Sequence, residues 1–221
     1  MFLYEEWEWV VLLLTIVALF CQLYYYFRYL WLRKDKSHLP SEGGLPKVSV
    51  VVCAHNEAEN LQNYLQILLS QDYPDYEVIV VDDESEDSTL ILLEQYAREY
   101  PNFYHTFVPK GARVISSKKL ALTIGIKAAH YDYILLTDAD CRPESRNWIR
   151  EMMMGYDSSS TEMVLGFSPY FEMDTLLSGL ISYDTLFIGL QYMGMARAGH
   201  PYMGVGRNLS YRRSTFFNNH G

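Results

Sequence analysis

The stretch VSVVVCAHNEAENL, residues 48–61, decides the fold. Its first six residues, 48–53, are a β-rich run with valine at four positions. Such a run, apolar on both sides, suits a strand of a sheet buried on both faces. The character then changes: over 57–70, Leu61, Leu65, Leu68 and Leu69 share one helical face. Working outward, the same switch repeats. Residues 77–81, 102–108 and 132–137 read as strands, and 87–99, 117–130 and 144–155 as helices. This alternation predicts an α/β fold, a doubly wound and mostly parallel sheet with right-handed crossovers. Ligands of such sheets bind outside the carboxyl ends of the strands, at a switch in strand order.

The residues just past the strands are therefore the informative ones. Ala54, His55, Asn56 and Glu57 follow the first strand, Asp82, Asp83, Glu84 and Ser85 the second, and Asp138, Ala139 and Asp140 the fourth. Each cluster alone has a local explanation, because Asp, Asn and Ser cap the next helix by accepting its free N–H groups. Three together place carboxylates from separate segments at one sheet edge, where they repel unless a cation or a hydrogen-bonded ligand is present. Asp138 and Asp140 offer hard oxygens at a spacing that suits Mg²⁺ or Mn²⁺, ions that complete their shells with water and substrate phosphates.

A different pattern precedes the sheet. Residues 9–27, WVVLLLTIVALFCQLYYYF, carry no charge. As a helix they span about 29 Å, the thickness of a bilayer's hydrocarbon. Trp7 and Trp9 stand at one end and Tyr24, Tyr25, Tyr26, Tyr29 and Trp31 at the other, as an aromatic belt would. A cleaved signal would open with basic residues and end in small ones; here Glu5, Glu6 and Glu8 open it and aromatics follow it. Arg28, Arg33, Lys34 and Lys36 follow the apolar run, so the positive-inside rule places the N-terminus outside and the rest in the cytoplasm, at the cell membrane. The expected organisation is an anchor over 1–36, a Pro/Gly linker over 37–46 and a catalytic domain over 47–221.

The remaining composition narrows the classes. The 221 residues carry 18 basic and 27 acidic side chains, a net charge of -9, which argues against a nucleic-acid partner. Cys21, Cys53 and Cys141 form no CxxC pair, so neither a disulfide framework nor a zinc site is indicated. Residues 163–170 read as a strand weakened by Pro169. Residues 176–196 read as a helix packed on the sheet or lying at a membrane surface, because Asp184 near its centre makes a second span costly.

Four ordered segments resemble family 2 glycosyltransferases: residues 48–61, EVIVVDDESEDST at 77–89, KKLALTIG at 118–125 and LLTDAD at 135–140. The N-terminal helix resembles the membrane-bound processive members that make polysaccharides. The resemblance implies a GT-A fold binding a nucleotide-diphosphate sugar, UDP-linked by preference. Ala54, Asn56 and Glu57 then line the base and ribose pocket, and Asp83, with Asp82 beside it, accepts from the base, a carboxylate suiting the N–H of uracil. Lys119, or Lys118 in its place, approaches the phosphates or ribose; Asp138 contacts ribose or sugar, and Asp140 holds a Mg²⁺ or Mn²⁺ ion. Gly204, Gly206 and Asn208 resemble an acceptor-side loop for a glycan or lipid-linked acceptor. The family's inverting chemistry draws its base from an acidic pair beyond this loop, and no such pair follows Asp140; the expectation is a piece of a longer enzyme. Two other classes compete. A nucleotidyltransferase wants a glycine-rich loop after the first strand, which residues 54–57 lack. A non-catalytic sugar-nucleotide-binding subunit would keep the donor pocket without the base.

Overall fold

The computed structural model describes residues 6–31, 44–109, 111, 117–171 and 174–219. In chain order the elements are α1 (Glu6–Trp31), β1 (Val48–Ala54), α2 (Ala58–Leu69), β2 (Tyr76–Asp82), α3 (Thr89–Glu99), β3 (Phe103–Phe107) and α4 (Ser117–Ala128). They continue with β4 (Tyr133–Asp138), α5 (Trp148–Met153), β5 (Met163–Leu165), α6 (Leu176–Arg197), a 3-10 turn at Gly206–Asn208, β6 (Leu209–Arg212) and α7 (Arg213–Asn218). Two compact units result: Met1–Lys36 with Phe167–Gly204, and Ser37–Gly166 with Val205–Gly221. The expected linker over 37–46, apart from 44–46, and the cluster Arg33, Lys34 and Lys36 lie outside the described residues.

The second unit is a six-stranded sheet in the order β3-β2-β1-β4-β6-β5. β1, β2, β3 and β4 pair in parallel, and β6 runs antiparallel to both β4 and β5. Period-two alternation divides the strands between two cores. Val50, Val52, Val78 and Val80 face Leu61, Leu65 and Leu68 of α2 and Leu93 of α3, while Val51, Ile79 and Val81 face Ala121 and Ile126 of α4. Both faces are covered, which is why β1 needs valines without polar alternation. The chain winds outward from β1 through β2 to β3, then returns to lay β4 on β1's other side. The switch in strand order lies between β1 and β4, so their carboxyl ends open a crevice.

At the opposite end of these strands, Glu77 is buried in β2 yet satisfied. Its carboxylate accepts from the Ser49 hydroxyl at 2.5 Å and from the His130 backbone N–H at 2.7 Å, and pairs with His130 Nδ1 at 2.6 Å. This network ties β1, β2 and the α4–β4 turn together.

Three elements depart from the sequence reading. The helix expected over 144–155 begins only at Trp148, because residue 146 is engaged elsewhere: its carbonyl accepts from Asp72 N–H and its side chain donates to Ser70 O. The strand expected over 163–170 is paired only at Met163–Leu165. β6 was not expected; it is four residues long, and its buried Ser210 is satisfied by the Ile134 carbonyl and the Tyr156 hydroxyl.

In the first unit α6 packs along α1, with Tyr26 edge-on to Phe187 at 6.0 Å between centroids. Its partner within its unit is thus the N-terminal helix. Gly189 permits close approach: a Cβ there would lie 2.5 Å from the Phe167 ring. Among the described residues one helix is long and apolar enough to cross a bilayer, Trp7–Arg28, with mean hydropathy 2.1 and none of its apolar stretch buried.

Candidate active site

The crevice at the switch point is a cleft of about 440 Å³ lined by the ends of β1, β2 and β4 and the start of α4. Its wall holds Cys53, Ala54, His55, Glu57, Asp83, Lys118, Asp138, Ala139 and Asp140. Two loops shape it through residues in the left-handed region: Asn56 at φ 56° and Glu84 at φ 58°. Asn tolerates this conformation; Glu does so only under constraint. The constraint is a lattice of hydrogen bonds between the loops. The Asn56 N–H donates to Ser85 Oγ at 2.9 Å, and its side-chain oxygen accepts from Glu86 N–H at 2.7 Å.

The adjacent aspartates separate. Asp82 is buried, its carboxylate accepting from the Ser85 N–H at 3.2 Å, so it closes the turn. Asp83 lines the cleft, held on both sides of its backbone: its N–H donates to Ala54 O at 2.8 Å and its carbonyl accepts from His55 Nδ1 at 2.5 Å. Glu57 also lines the cleft, accepting from Asn60 Nδ2. Asn56, expected in the donor pocket, instead ties the two loops together and is absent from the cleft wall.

Of the two lysines, Lys118 reaches the cleft and Lys119 does not. Lys118 Nζ lies 2.9 Å from Asp138 Oδ1. Partial burial pulls its pKa down, but the hydrogen bond and charge of Asp138, with the charge of Asp140, outweigh burial and leave it above the ordinary lysine value. Four carboxylates against one lysine line the cleft, so an unaccompanied diphosphate would be repelled.

The donor set for a cation is present. Single donor atoms of Asp138, Asp140 and Cys141 lie within 4.8 Å of one another. Two carboxylates at a cleft mouth with room for phosphate oxygens fit a divalent ion that keeps part of its shell for substrate. Both nearby thiols are protonated at neutral pH. Burial pushes Cys53 up to about 12, helped by Asp138 and Asp83 against the pull of Lys118, and burial with the charge of Asp140 pushes Cys141 up to about 11.

The acceptor-side residues are not in this wall. Asn208 is engaged within the fold: its side-chain oxygen accepts from Trp148 Nε1 at 3.0 Å, its carbonyl accepts from Gly166 N–H, and its side chain fills the space a Cβ on Gly166 would need. Gly206 faces open space, and Gly204 belongs to the other unit. His55, named with its neighbours at the end of the first strand but given no role there, lines the cleft as well. Its position directly after β1, between Ala54 and Asn56, was the available signal.

Comparison with known proteins extends the picture. The pattern defining glycosyl transferase family 2 matches residues 49–217. A probable glycosyltransferase, YdaM, of Bacillus subtilis is 30% identical over 179 residues, 77% of this chain and 41% of that protein. The poly-beta-1,6-N-acetyl-D-glucosamine synthase of Staphylococcus epidermidis is 33% identical over 93 residues, 42% of this chain and 21% of the synthase. This chain therefore spans well under half the length of these relatives. Among solved structures, a mannosyltransferase of Pyrobaculum calidifontis in complex with GDP-Man and Mn²⁺ superposes with a TM-score of 0.70 at 22% identity, covering 97% of this chain and 58% of that one. TarS 1–349 of S. aureus in complex with UDP-GlcNAc gives 0.55 at 20% identity, covering 79% and 47%. At such identities these two likenesses speak for the fold, a GT-A type α/β sheet. The family match over most of the sheet unit, on a cleft built from the same ordered segments, makes this chain a member of glycosyl transferase family 2.

Proposed function

We propose that the cleft binds a nucleotide-diphosphate sugar, UDP-linked by preference, and that the protein transfers its sugar with inversion to a glycan or lipid-linked acceptor. One observation carries this reading: Asp83, Lys118, Asp138 and Asp140, from three separate segments, line a single cleft at the strand-order switch. The Asp83 carboxylate accepts the ring N–H of uracil, which cytosine and adenine lack at that edge. Lys118 neutralises phosphate charge after exchanging part of its contact with Asp138. Asp138 and Asp140 would hold a Mg²⁺ or Mn²⁺ ion, which when bound offsets the charge of the departing diphosphate. The sites of two solved neighbours, one with GDP-Man and Mn²⁺ and one with UDP-GlcNAc, support a donor of this class. Ala54 at the end of β1 gives the base a flat, small wall.

The proposed setting is the cytoplasmic face of the cell membrane. α1 serves as the anchor, with membrane lipid around its exposed apolar surface and its N-terminus outside. The catalytic domain proposed over 47–221 supplies the donor half of the reaction, and Gly204, Gly206 and Asn208 shape the loop toward the acceptor by backbone position.

Titration of UDP into the protein with and without Mn²⁺ tests the reading. Binding should require the ion and disappear in Asp140→Asn. Equal affinity in that variant, or binding indifferent to Mn²⁺, would refute it. Release of sugar from UDP-linked donors then separates an enzyme from a donor-binding subunit.

A further inference from the structure

We infer that Cys141 is a third protein ligand of the cation held by Asp138 and Asp140, and that its sulfur shifts the site's preference from Mg²⁺ toward thiophilic divalent ions. This rests on reading the cleft as a metal-assisted donor site. The geometry is specific to the turn after β4. The Cys141 backbone N–H donates to the Asp138 carbonyl at 3.1 Å, which curls residues 138–141 back on themselves. The thiol is thereby returned toward the carboxylates, with Sγ 3.5 Å from Asp140 Oδ1.

Two ligands of one ion lie between about 3 Å apart, when adjacent, and about 4.5 Å apart, when opposed, given metal–oxygen and metal–sulfur bonds of ordinary length. The three donor atoms all lie within 4.8 Å of one another, so small side-chain rotations bring them onto one centre. One oxygen of Asp138 is already engaged by Lys118, which makes a further protein donor useful. Cys53 lines the cleft wall, which Cys141 does not, yet Cys53 is outside this donor group.

Ligand softness then sets the preference. Mg²⁺ takes oxygen and gains little from sulfur, whereas Zn²⁺ and Cd²⁺ bind sulfur strongly. Coordination replaces the S–H bond by a sulfur–metal bond, and the proton passes to water. The carboxylate charge that disfavours a bare thiolate is neutralised by the same ion.

Cd²⁺ is the probe, because only sulfur ligation gives the ultraviolet sulfur-to-cadmium charge-transfer band. In the intact chain in detergent, one equivalent of Cd²⁺ should produce that band. It should vanish in Cys141→Ser, weaken in Asp140→Asn and persist in Cys53→Ser and Cys21→Ser. Cys141→Ser should also lose about tenfold or more in Cd²⁺ affinity, at or above the lower end of what outer-shell substitutions cost, while Mg²⁺ affinity stays unchanged. A band that survives in Cys141→Ser, or that is lost in Cys53→Ser instead, overturns the inference. Mn²⁺-dependent UDP binding, measured in parallel, keeps the two readings apart. If it holds while Cys141→Ser keeps the band, the donor site stands and the sulfur ligand falls. If wild-type UDP binding is indifferent to metal, both fall.

Discussion

Gly125 lies seven residues beyond Lys118 on α4, against the middle of the sheet. A Cβ placed there would meet Val51 Cγ1 at 2.5 Å and Val81 Cγ2 at 2.8 Å. Carbon atoms prefer about 3.5–4.0 Å, so the methyl is about an ångström too close on two sides. Neither valine can retreat: they are 1% and 0% exposed and β-branched, so rotation about χ1 is restricted. Overpacking of this kind costs about 1–3 kcal/mol. Against it, Ala gains about 0.8–1.0 kcal/mol over Gly in a helix interior. With two contacts under 3 Å the upper part of that cost, about 2–3 kcal/mol, applies, so Gly125→Ala should destabilise the sheet unit by about 1–2 kcal/mol. Gly206→Ala, in open space, should change stability by less than about 0.5 kcal/mol. Trp148 is the sheet unit's own indole among the chain's 4 tryptophans. Urea unfolding followed by its fluorescence, with Trp7, Trp9 and Trp31 replaced by Phe, reads this unit. Helix displacement also draws Lys118 from Asp138, so UDP affinity should fall by about tenfold, within what ångström misplacements cause. Val51→Ala added to Gly125→Ala should cost less than the two separately, by more than about 0.5 kcal/mol. Unchanged stability in Gly125→Ala, with additive behaviour of the pair, would refute the close-packing argument.

Four further outcomes follow from the same structure. Lys118→Met should weaken UDP binding by about 10–100-fold, the worth of a hydrogen bond to a charged group, while Lys119→Met leaves calorimetric affinity nearly unchanged. Asn208→Ala strands the Trp148 indole N–H and empties the space beside Gly166, so it should lower the sheet unit's stability by about 1–3 kcal/mol in urea melts. A Cys53 thiol raised from 9.0 to about 12 holds about a thousandfold less thiolate than an unfolded one at pH 8, which iodoacetamide labelling with and without denaturant should reveal. Because the unfolded chain releases these thiol protons first, Cys53 and Cys141 remove stability as pH rises above 9, and Cys53→Ser should flatten the alkaline limb of the unfolding profile.

Most of the sheet was legible because its signals are local. Four valines in 48–53 and the leucines at Leu61, Leu65 and Leu68 carry periods of two and 3.6 that no distant contact is needed to read. β6 escaped that reading because four residues are too few for a period, and its buried serine looks polar until Ile134 and Tyr156 are seen to satisfy it. α6 was legible as a helix but not its partner, since an apolar helix does not state which surface it covers.

The site divides in the same way. Sequence alone determined that acidic residues end β2 and β4, because the strand ends follow from the alternation, whereas the strand order came from the structure. Which of two neighbours enters the cleft was settled only by tertiary structure. Asp83 and not Asp82, and Lys118 and not Lys119, line the wall, while Asn56 and Asn208 are drawn away by partners about 30 and 60 residues distant in sequence. A side chain's direction at a strand end is set by the turn's dihedral angles. Here left-handed Asn56 and Glu84 are held by hydrogen bonds between loops that become neighbours only once β1 and β2 have paired.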